Sequence, residues 1–542
     1  MKKLLFFLSL IFSCSLFGQE HAWVYFKDKP SEATFMSSPL TMLTQRALDR
    51  RTKQGIALDS KDVPIETSYY NQIKEATGIS VKAKSKWLNA VHVLGSVSDI
   101  NALTSNFTFV DRIEFANRSL NTSSTAVAKS EKAINNHKNK LETKKPTYNY
   151  GDATNQIEML GGDFLHRNGF TGNGIHIAVI DAGFPNVNTL PAFSRIRTNN
   201  QILGGYDFVN RSDNFYTGNS HGTHVLSDIA AYKDGDFIGT APDASFYLFR
   251  TEDAANETPL EESLWVEAAE RADSLGVDIV NTSLGYSTFD NANYNYSYSD
   301  MDGQTTFITR GAEIGASRGM LMVTSAGNSG NSPWKYISAP ADANSVFTIG
   351  AVNQLEVIAN FSSYGPTSDG RVKPDVLAQG QNVYIVNYFT GNNATSNGTS
   401  FSSPVIAGVL ACFWQALPDK TNFEIMTLIR ESADKFRNPT DHHGYGVPDF
   451  NAAYNLTLSV DEDSFDNFKV FPNPVENLVT LNGINGSIKE YSLKIYSVLG
   501  KQILHKQELT SNSINLSNLK TGIYFLNISN GNKSKVIKLI KK

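Results

Sequence analysis

Cysteine is almost missing from this 542-residue chain, which has only Cys14 and Cys412. That scarcity excludes a disulfide-stapled scaffold and a cysteine-built zinc module. An excess of one charge is also lacking. Lys+Arg 48 against Asp+Glu 53 leaves a net charge of −5, too mild for a nucleic-acid or membrane-surface binder. No apolar run reaches the roughly 18–20 residues of a membrane helix; the longest candidate, 4–12 (LLFFLSLIF), is too short. Strong compositional bias is absent too. With 41% hydrophobic and 19% charged residues, the chain is not disordered along its length. At roughly 150 residues per domain the length suggests about three to four domains.

The first segment reads as an address. Lys2 and Lys3 precede the apolar stretch, and Ser13, Ser15 and Gly18 follow it, the layout of a secretory signal peptide over 1–19. The protein is therefore expected to be secreted, extracellular or associated with the cell surface. Cys14 offers a lipoprotein alternative, against which Phe12 stands where such signals usually want a small residue. If Cys14 leaves with the signal, Cys412 is alone and no intrachain disulfide forms.

The rest divides by composition. Residues 20–118 alternate short runs: strands over 21–26 (HAWVYF), 87–94 (WLNAVHVL) and 109–115 (FVDRIEF), and a helix over 96–106. This is a small α+β domain. Residues 119–149 form a linker. Between 120 and 146 there is no Phe, Trp or Tyr, while Lys129, Lys132, Lys138, Lys140, Lys144 and Lys145 recur among Ser, Thr and Asn. Such a segment cannot bury a core and invites proteolysis. From 150 to 457 short β-branched runs at 176–180, 277–280, 321–323 and 346–349 alternate with helical patterns. The clearest helix spans 258–275. Thr258, Pro259 and Glu261 make its start, Leu260, Leu264, Ala268, Ala272 and Leu275 its apolar face, and Gly276 its end. The alternation predicts an α/β domain with a doubly wound, mostly parallel sheet, whose reacting groups gather beyond the carboxyl ends of the strands. After a linker at 458–465, residues 466–542 show only short alternating runs broken by Asn-Gly and Gly, the pattern of a small all-β sandwich. Lysine outnumbers Asp and Glu there, as edge strands often require.

Three motifs carry chemistry. Asp181 leaves a buried strand in Ile180-Asp181-Ala182-Gly183. His221 opens a helix in Ser220-His221-Gly222-Thr223-His224. Ser400 sits in Asn397-Gly398-Thr399-Ser400-Phe401-Ser402-Ser403-Pro404, ahead of an apolar helix. Singly, each suits a turn, a helix start or a cap. A zinc reading of His221 and His224 lacks HExxH and a third nearby ligand. Together they form a set with one logic. A hydroxyl needs a base, imidazole exchanges a proton near neutral pH, and the imidazolium needs a carboxylate. The order Asp, His, Ser matches the subtilisin arrangement, and Gly398-Thr-Ser-Phe-Ser402 is not the G-x-S-x-G of α/β-hydrolases. The helix start at Ser400 aims N–H groups at developing negative charge. Pro404 withholds the N–H that would bond the Ser400 carbonyl in a regular ladder, so the first turn there is expected to be irregular. Asn328, at a strand end in Ser325-Ala326-Gly327-Asn328, offers an amide donor to an oxyanion.

On these residues 150–457 resembles the subtilisin-like serine proteases. Val179-Ile180-Asp181-Ala182-Gly183, His221-Gly222-Thr223-His224-Val225, Ser283-Leu284-Gly285, Ala326-Gly327-Asn328 and Gly398-Thr399-Ser400-x-x-Ser403-Pro404 occur in family order. The resemblance implies a secreted serine endopeptidase with Asp181, His221 and Ser400 as triad and Asn328 as oxyanion donor. It implies that Ser283, Leu284 and Gly285, with Ala326 and Gly327, bind the substrate backbone by strand addition. Ala182 stands where the family usually has Thr or Ser, and Phe401-Ser402 where Met-Ala is common. The competing class is a non-catalytic surface protein retaining this fold. No cofactor is required for such chemistry, and the family often binds structural calcium.

The flanking domains carry resemblances of their own. Leu88-Asn89-Ala90-Val91 and Phe109-Val110-Asp111-Arg112-Ile113-Glu114 are similar to the propeptide inhibitors of the family, with an accessory domain as the plain alternative. Val470-Phe471-Pro472-Asn473-Pro474, Leu499-Gly500-Lys501 and Leu519-Lys520-Thr521-Gly522-Ile523-Tyr524 resemble the type IX secretion sorting domain; a carbohydrate-binding module would want an aromatic platform, and 466–542 has no Trp. Expected partners are protein or peptide substrates, the chain's own propeptide as intramolecular inhibitor and the type IX machinery, with no nucleic acid. The segment after Gly285, with Tyr286, Tyr294, Tyr296, Tyr298, Asp290, Asp300 and Asp302, is expected to wall the cleft, to hold calcium through oxygen ligands, or to be a solvated loop.

Overall fold

The computed structural model describes residues 18–121, 148–458, 469–482, 488–497, 501–506, 509–530 and 533–542. Most of the signal peptide and of both linkers, and Leu499-Gly500 of the sorting motif, lie outside the described residues. The chain forms two compact units, Met1–Tyr454 and Asn455–Lys542. No helix is long and apolar enough to cross a membrane among the described residues.

The first unit opens with β1 (Glu20–Phe26), α1 (Gln45–Lys53), α2 (Thr67–Lys74), β2 (Ser80–Ser85), β3 (Ala90–Gly95), α3 (Val97–Asn106) and β4 (Val110–Phe115). The strands make an antiparallel sheet in the order β2-β3-β1-β4. β1 is apolar from Ala22 to Phe26 because both of its faces are covered there. Ala22, Val24 and Phe26 face the domain's own core with Ile73 and Leu103. Trp23 and Tyr25 face a second core that includes Trp265 and Phe307 of the next domain. The strand expected from 87 starts only at Ala90, since Asn89 turns the chain at φ 49°. α1 (QRALDRRTK) has too few apolar residues to announce itself by periodicity.

The central sheet has β5 (His176–Asp181), β6 (Ile202–Asp207), β7 (Ser245–Arg250), β8 (Ile279–Thr282), β9 (Leu321–Ser325), β10 (Phe347–Val352) and β11 (Val376–Gln379), in the order β11-β10-β9-β8-β5-β7-β6. Every pairing is parallel. Its register explains the site. Thr282 lies level with Ile180 on one side and Thr324 on the other. Asp181, Ser283 and Ser325 therefore leave the sheet side by side at its carboxyl edge. The helices that matter are α4 (His221–Ala230), α5 (Pro259–Leu275), α6 (Phe307–Ser317) and α7 (Thr399–Ala416). α7 is buried from Thr399 to Trp414 and carries Val405, Ile406, Val409 and Phe413 into the main core.

α5 has the expected capping box of Thr258 and Glu261, and Gly276 ends it at φ 80°. Leu264, Ala268 and Ala272 of its apolar face are buried, but so are Glu262, Ser263, Glu270 and Asp273 on other faces. The first domain covers Ser263, Glu270 and Asp273, and Tyr296 of the subtilase domain covers Glu262.

In the second unit β12 (Lys469–Phe471), β13 (Leu478–Asn482), β14 (Tyr491–Ser497), β15 (Gln502–Lys506), β16 (Ser513–Asn515), β17 (Gly522–Asn530) and β18 (Lys533–Lys541) form two antiparallel sheets, β12-β13-β16 and β15-β14-β17-β18. Val479, Leu481 and Ile514 of the first share one core with Leu493, Leu526 and Ile528 of the second, as a sandwich requires.

Candidate active site

Asp181 ends β5 with only 1% of its surface exposed. His221 begins α4, where the Asn219 side chain accepts its backbone N–H at 2.9 Å. The two side chains meet at 2.8 Å, His221 Nδ1 to Asp181 Oδ1. A neutral imidazole that donates from Nδ1 keeps Nε2 as its basic nitrogen. Gly222 makes the approach possible, because a Cβ there would lie 2.5 Å from the Gly183 carbonyl oxygen and 2.9 Å from Asp181 Cβ. Asp181 Oδ1 also accepts the Ala182 N–H at 2.7 Å, while the buried Oδ2 has no protein partner among the described residues. Ala182 has no hydroxyl to offer it. Burial works against the imidazolium, but the charge and hydrogen bond of Asp181, aided by Glu252, outweigh it and raise the His221 pKa above 6.5. His224 is elsewhere engaged, its Nε2 accepting the Tyr388 N–H at 3.3 Å.

Ser400 is the second residue of α7. The carbonyl that Pro404 deprives of its helical donor accepts the Ser283 hydroxyl at 2.9 Å, and Ser400 Oγ donates to the Ser283 carbonyl at 3.2 Å. Behind this pair, Asn281 Nδ2 donates to Ser283 Oγ at 3.1 Å and Ser403 Oγ donates to Asn281 Oδ1 at 3.0 Å. The sheet edge and the helix start are thus stitched together at the nucleophile candidate. The His221 ring lies 5.7 Å from that of Phe401. No hydrogen bond joins Ser400 to His221 among the described residues, so the hydroxyl must turn from Ser283 to reach the imidazole.

Asn328 is oriented by Thr399. Its Oδ1 accepts both the Thr399 N–H at 2.8 Å and the Thr399 hydroxyl at 3.0 Å. Only an oxygen can satisfy that backbone N–H, so the amide's NH2 is left to face the other way. Gly398 sits at φ 149°, a backbone conformation that a side chain would strain, and a Cβ there would be in ordinary contact with Asn328 Nδ2 at 3.5 Å. Gly327, at φ 106°, donates its N–H to Thr399 Oγ1 at 3.1 Å. Ala326 continues β9 through its N–H to the Ile349 carbonyl at 2.9 Å. On the opposite side, Tyr286 pairs with Ala339 through bonds of 2.8 and 3.1 Å, which anchors the far end of Ser283-Leu284-Gly285. A Cβ on Gly285 would meet Ser338 Oγ at 2.3 Å.

Comparison with known proteins identifies the family. Residues 172–447 match the Subtilase family model, which covers half the chain. The chain belongs to the subtilase family. Residues 21–135 match the Peptidase S8 propeptide domain of Bacteroidota, and 469–542 match a secretion system C-terminal sorting domain. Serine protease AprX of Bacillus subtilis is 30% identical over 316 residues, covering 53% of this chain and 67% of AprX. Subtilisin BL of Lederbergia lenta is 30% identical over 289 residues, covering 53% of this chain and 93% of its own.

Around the site the subtilase domain holds polar residues that the motifs did not single out. Thr251 donates its N–H to the Asp181 carbonyl at 3.1 Å, and the next residue, Glu252, accepts the Tyr286 hydroxyl at 2.7 Å on both oxygens. Burial raises the Glu252 pKa to about 7 although Tyr286 and Thr251 bond its charged form. Glu252, Glu257 and Glu261 bring carboxylate oxygens within 4.8 Å of one another. Burial, then Glu252, raises Glu261 to about 9. The tyrosine-rich segment after Gly285 is not a solvated loop. Tyr286 and Tyr294 are buried, Tyr296 donates to Glu262 at 2.8 Å, and Tyr294 donates to Glu20 of the first domain at 3.0 Å. Its acids have protein partners: Asp290 accepts the Glu257 N–H at 3.0 Å, Asp300 pairs with Arg118, and Asp302 accepts the Thr305 N–H at 2.8 Å.

Proposed function

We propose that the subtilase domain is a secreted serine endopeptidase that hydrolyses peptide bonds through an acyl-enzyme on Ser400. The observation that carries this reading is the 2.8 Å contact of His221 with Asp181 at the same sheet edge as Ser400 and Asn328. In the proposed cycle a peptide lies along Ser283-Leu284-Gly285, with Ala326-Gly327 across from it. Ser400 Oγ attacks the carbonyl carbon while His221 Nε2 takes its proton, and Asp181 offsets the imidazolium. The oxyanion accepts from Asn328 Nδ2 and from backbone N–H at the start of α7. His221 returns the proton to the leaving amine; water, deprotonated by the same nitrogen, then frees the acid. No cofactor enters these steps.

The propeptide domain is proposed to inhibit the enzyme until the linker at 119–149 is cut, and the sorting domain to address it to the type IX machinery. An active-site phosphonate label located by peptide mapping tests the central claim. Ser400 should carry the label, and Ser400→Ala should abolish both labelling and casein hydrolysis. Hydrolysis by Ser400→Ala at the parent rate would refute the mechanism. Fusion of 466–542 to a signal-bearing reporter tests the address; a reporter that stays in the periplasm would sink it.

A further inference from the structure

Beyond the contacts of Tyr294 with Glu20, Asp300 with Arg118 and Arg310 with Glu114, two parts of the grip of the N-terminal domain on the subtilase domain lie along α5. The first is the sheet face, where Trp23 stacks on Phe307 at 4.6 Å and donates to Ser263 Oγ at 2.8 Å. Ser85 Oγ and the Trp87 N–H converge there on the Glu270 carboxylate at 2.6 and 2.9 Å.

The second place lies at the carboxyl ends of α5 and α6. Gly276 ends α5 at φ 80° and Gly319 follows α6 at φ 88°, and helix ends of this kind leave carbonyls in need of donors. α1 supplies them. Arg46 Nε donates to the Gly276 carbonyl at 2.9 Å and its Nη2 to the Gly174 carbonyl at 2.8 Å. Arg50 donates to the Val277 carbonyl and to Asp273. Gln54, just past α1, donates to the Gly319 carbonyl at 2.8 Å. Arg51 is 2% exposed, and its Nη2 reaches both oxygens of Asp273 at 2.8 Å and Asp62 at 2.9 Å. Asp273 is completely buried. Cationic groups at helix carboxyl ends also answer the helix dipole. A cavity of about 530 Å³ at this interface is lined by Thr41, Met42, Ile65 and Lys84 of the N-terminal domain and by Glu267 and Arg271 of α5.

We propose that α1 is a separate arginine latch, independent of the sheet face, that keeps the N-terminal domain on the subtilase domain after the linker is cut. The surface it occupies is an acceptor site for a pair of adjacent arginines, built from Asp273 and the Val277 carbonyl just past α5. Asp273 loses both guanidinium partners when the domain departs, so departure requires breaking a desolvated ion cluster as well as parting a sheet from two helices. The inference rests on the propeptide reading for its biological setting.

The test uses the full chain with Ser400→Ala and a cleavage site for a sequence-specific protease inserted within 122–147. After cutting, release of the N-terminal domain is timed by size exclusion. Adding Arg50→Ala with Arg51→Ala should speed release on the order of a hundredfold, since truncating one side of a buried charge pair acts on the off-rate. Trp23→Ala should speed it too, and the two effects should multiply, as independent sites do. Release of the double-arginine variant at the parent rate would overturn the latch. So would combined effects that fail to multiply, which would make the interface one cooperative surface. Where the arginine variant fails to fold, Asp273→Asn decides from the other side. It keeps the shape and should speed release roughly tenfold; an unchanged rate would also overturn the proposal. Because cutting is external, these outcomes do not depend on whether Ser400 is a nucleophile.

Discussion

Asp181 and Asp273 are both buried carboxylates of the subtilase domain, and their surroundings could hardly differ more. Asp181 meets one titratable partner, a histidine with 33% of its side chain exposed, and one of its oxygens has no protein partner among the described residues. Asp273 has both oxygens on arginines that are themselves buried. The charge at Asp181 is matched by a group that gains and loses a proton near neutral pH. The charge at Asp273 is matched by groups that stay protonated. Burial raises the Asp273 pKa, but Arg50 and Arg51 outweigh it and hold it below the usual range. The first arrangement suits chemistry and the second suits attachment.

Exchanging each carboxylate for its amide tests that contrast. Asp181→Asn should lower kcat by about ten-thousandfold, a magnitude borrowed from related serine proteases, with a small effect on stability. His221 must be neutral to act as base, so the parent kcat/KM should fall as pH drops through its raised pKa. Without the carboxylate that pKa falls, and the acid limb of the residual activity should move to lower pH. A limb that stays in place would separate Asp181 from the histidine's titration. For stability the sign is opposite: the raised His221 pKa adds stability below 6.5 that is lost as pH rises through the folded value. Asp273→Asn should do the converse. Processed enzyme should keep its kcat/KM, while denaturation of the uncut chain should lose about 1.5 kcal/mol, the low end for a hydrogen bond to a charged group. A drop in kcat/KM there would mean that the two sites are linked.

The two carboxylates also differ in how legible they were. Asp181, His221, Asn328 and Ser400 stand in short motifs whose neighbours are fixed by steric need. Gly222 guards a space that a Cβ would fill, and Gly398 holds a φ of 149° that a side chain would strain. The parallel sheet was legible where strands are β-branched and short. It was not at 202–207 (ILGGYD) or 245–250 (SFYLFR), which lack that signature. Nothing in sequence announced Asp273. Its partners Arg50 and Arg51 lie more than two hundred positions away, on a helix without apolar periodicity. An acidic residue on an otherwise ordinary helix reads as solvated until the covering domain is seen. The tyrosine-rich segment escaped for the same reason, since its partners Glu20, Glu252 and Glu262 come from other elements.

Within the site, Asn328 offers a sharper cut than Asp181 because it takes no proton. Asn328→Ala should lower kcat by about a hundred- to a thousandfold with KM little changed, the effect found for the oxyanion donor of a related subtilisin. An unchanged kcat would remove Asn328 from the site and leave the start of α7 as the sole oxyanion candidate.

The smallest effect concerns Thr399, which touches no reacting atom in the proposed cycle. Its backbone N–H and hydroxyl hold Asn328 Oδ1, and the same hydroxyl accepts the Gly327 N–H. Thr399→Val keeps the shape and the backbone bond but removes the hydroxyl. One net hydrogen bond is worth about 0.5–1.5 kcal/mol, so kcat should fall between about two- and tenfold. Thr399→Ser should restore it. Because Thr399 acts through the amide, the decisive measurement is the double variant. Thr399→Val added to Asn328→Ala should lower kcat no further, since the group being oriented has already gone. A further drop equal to that of Thr399→Val alone would mean that Thr399 serves α7 and Gly327 directly, and that the Asn328 amide is aimed by something else.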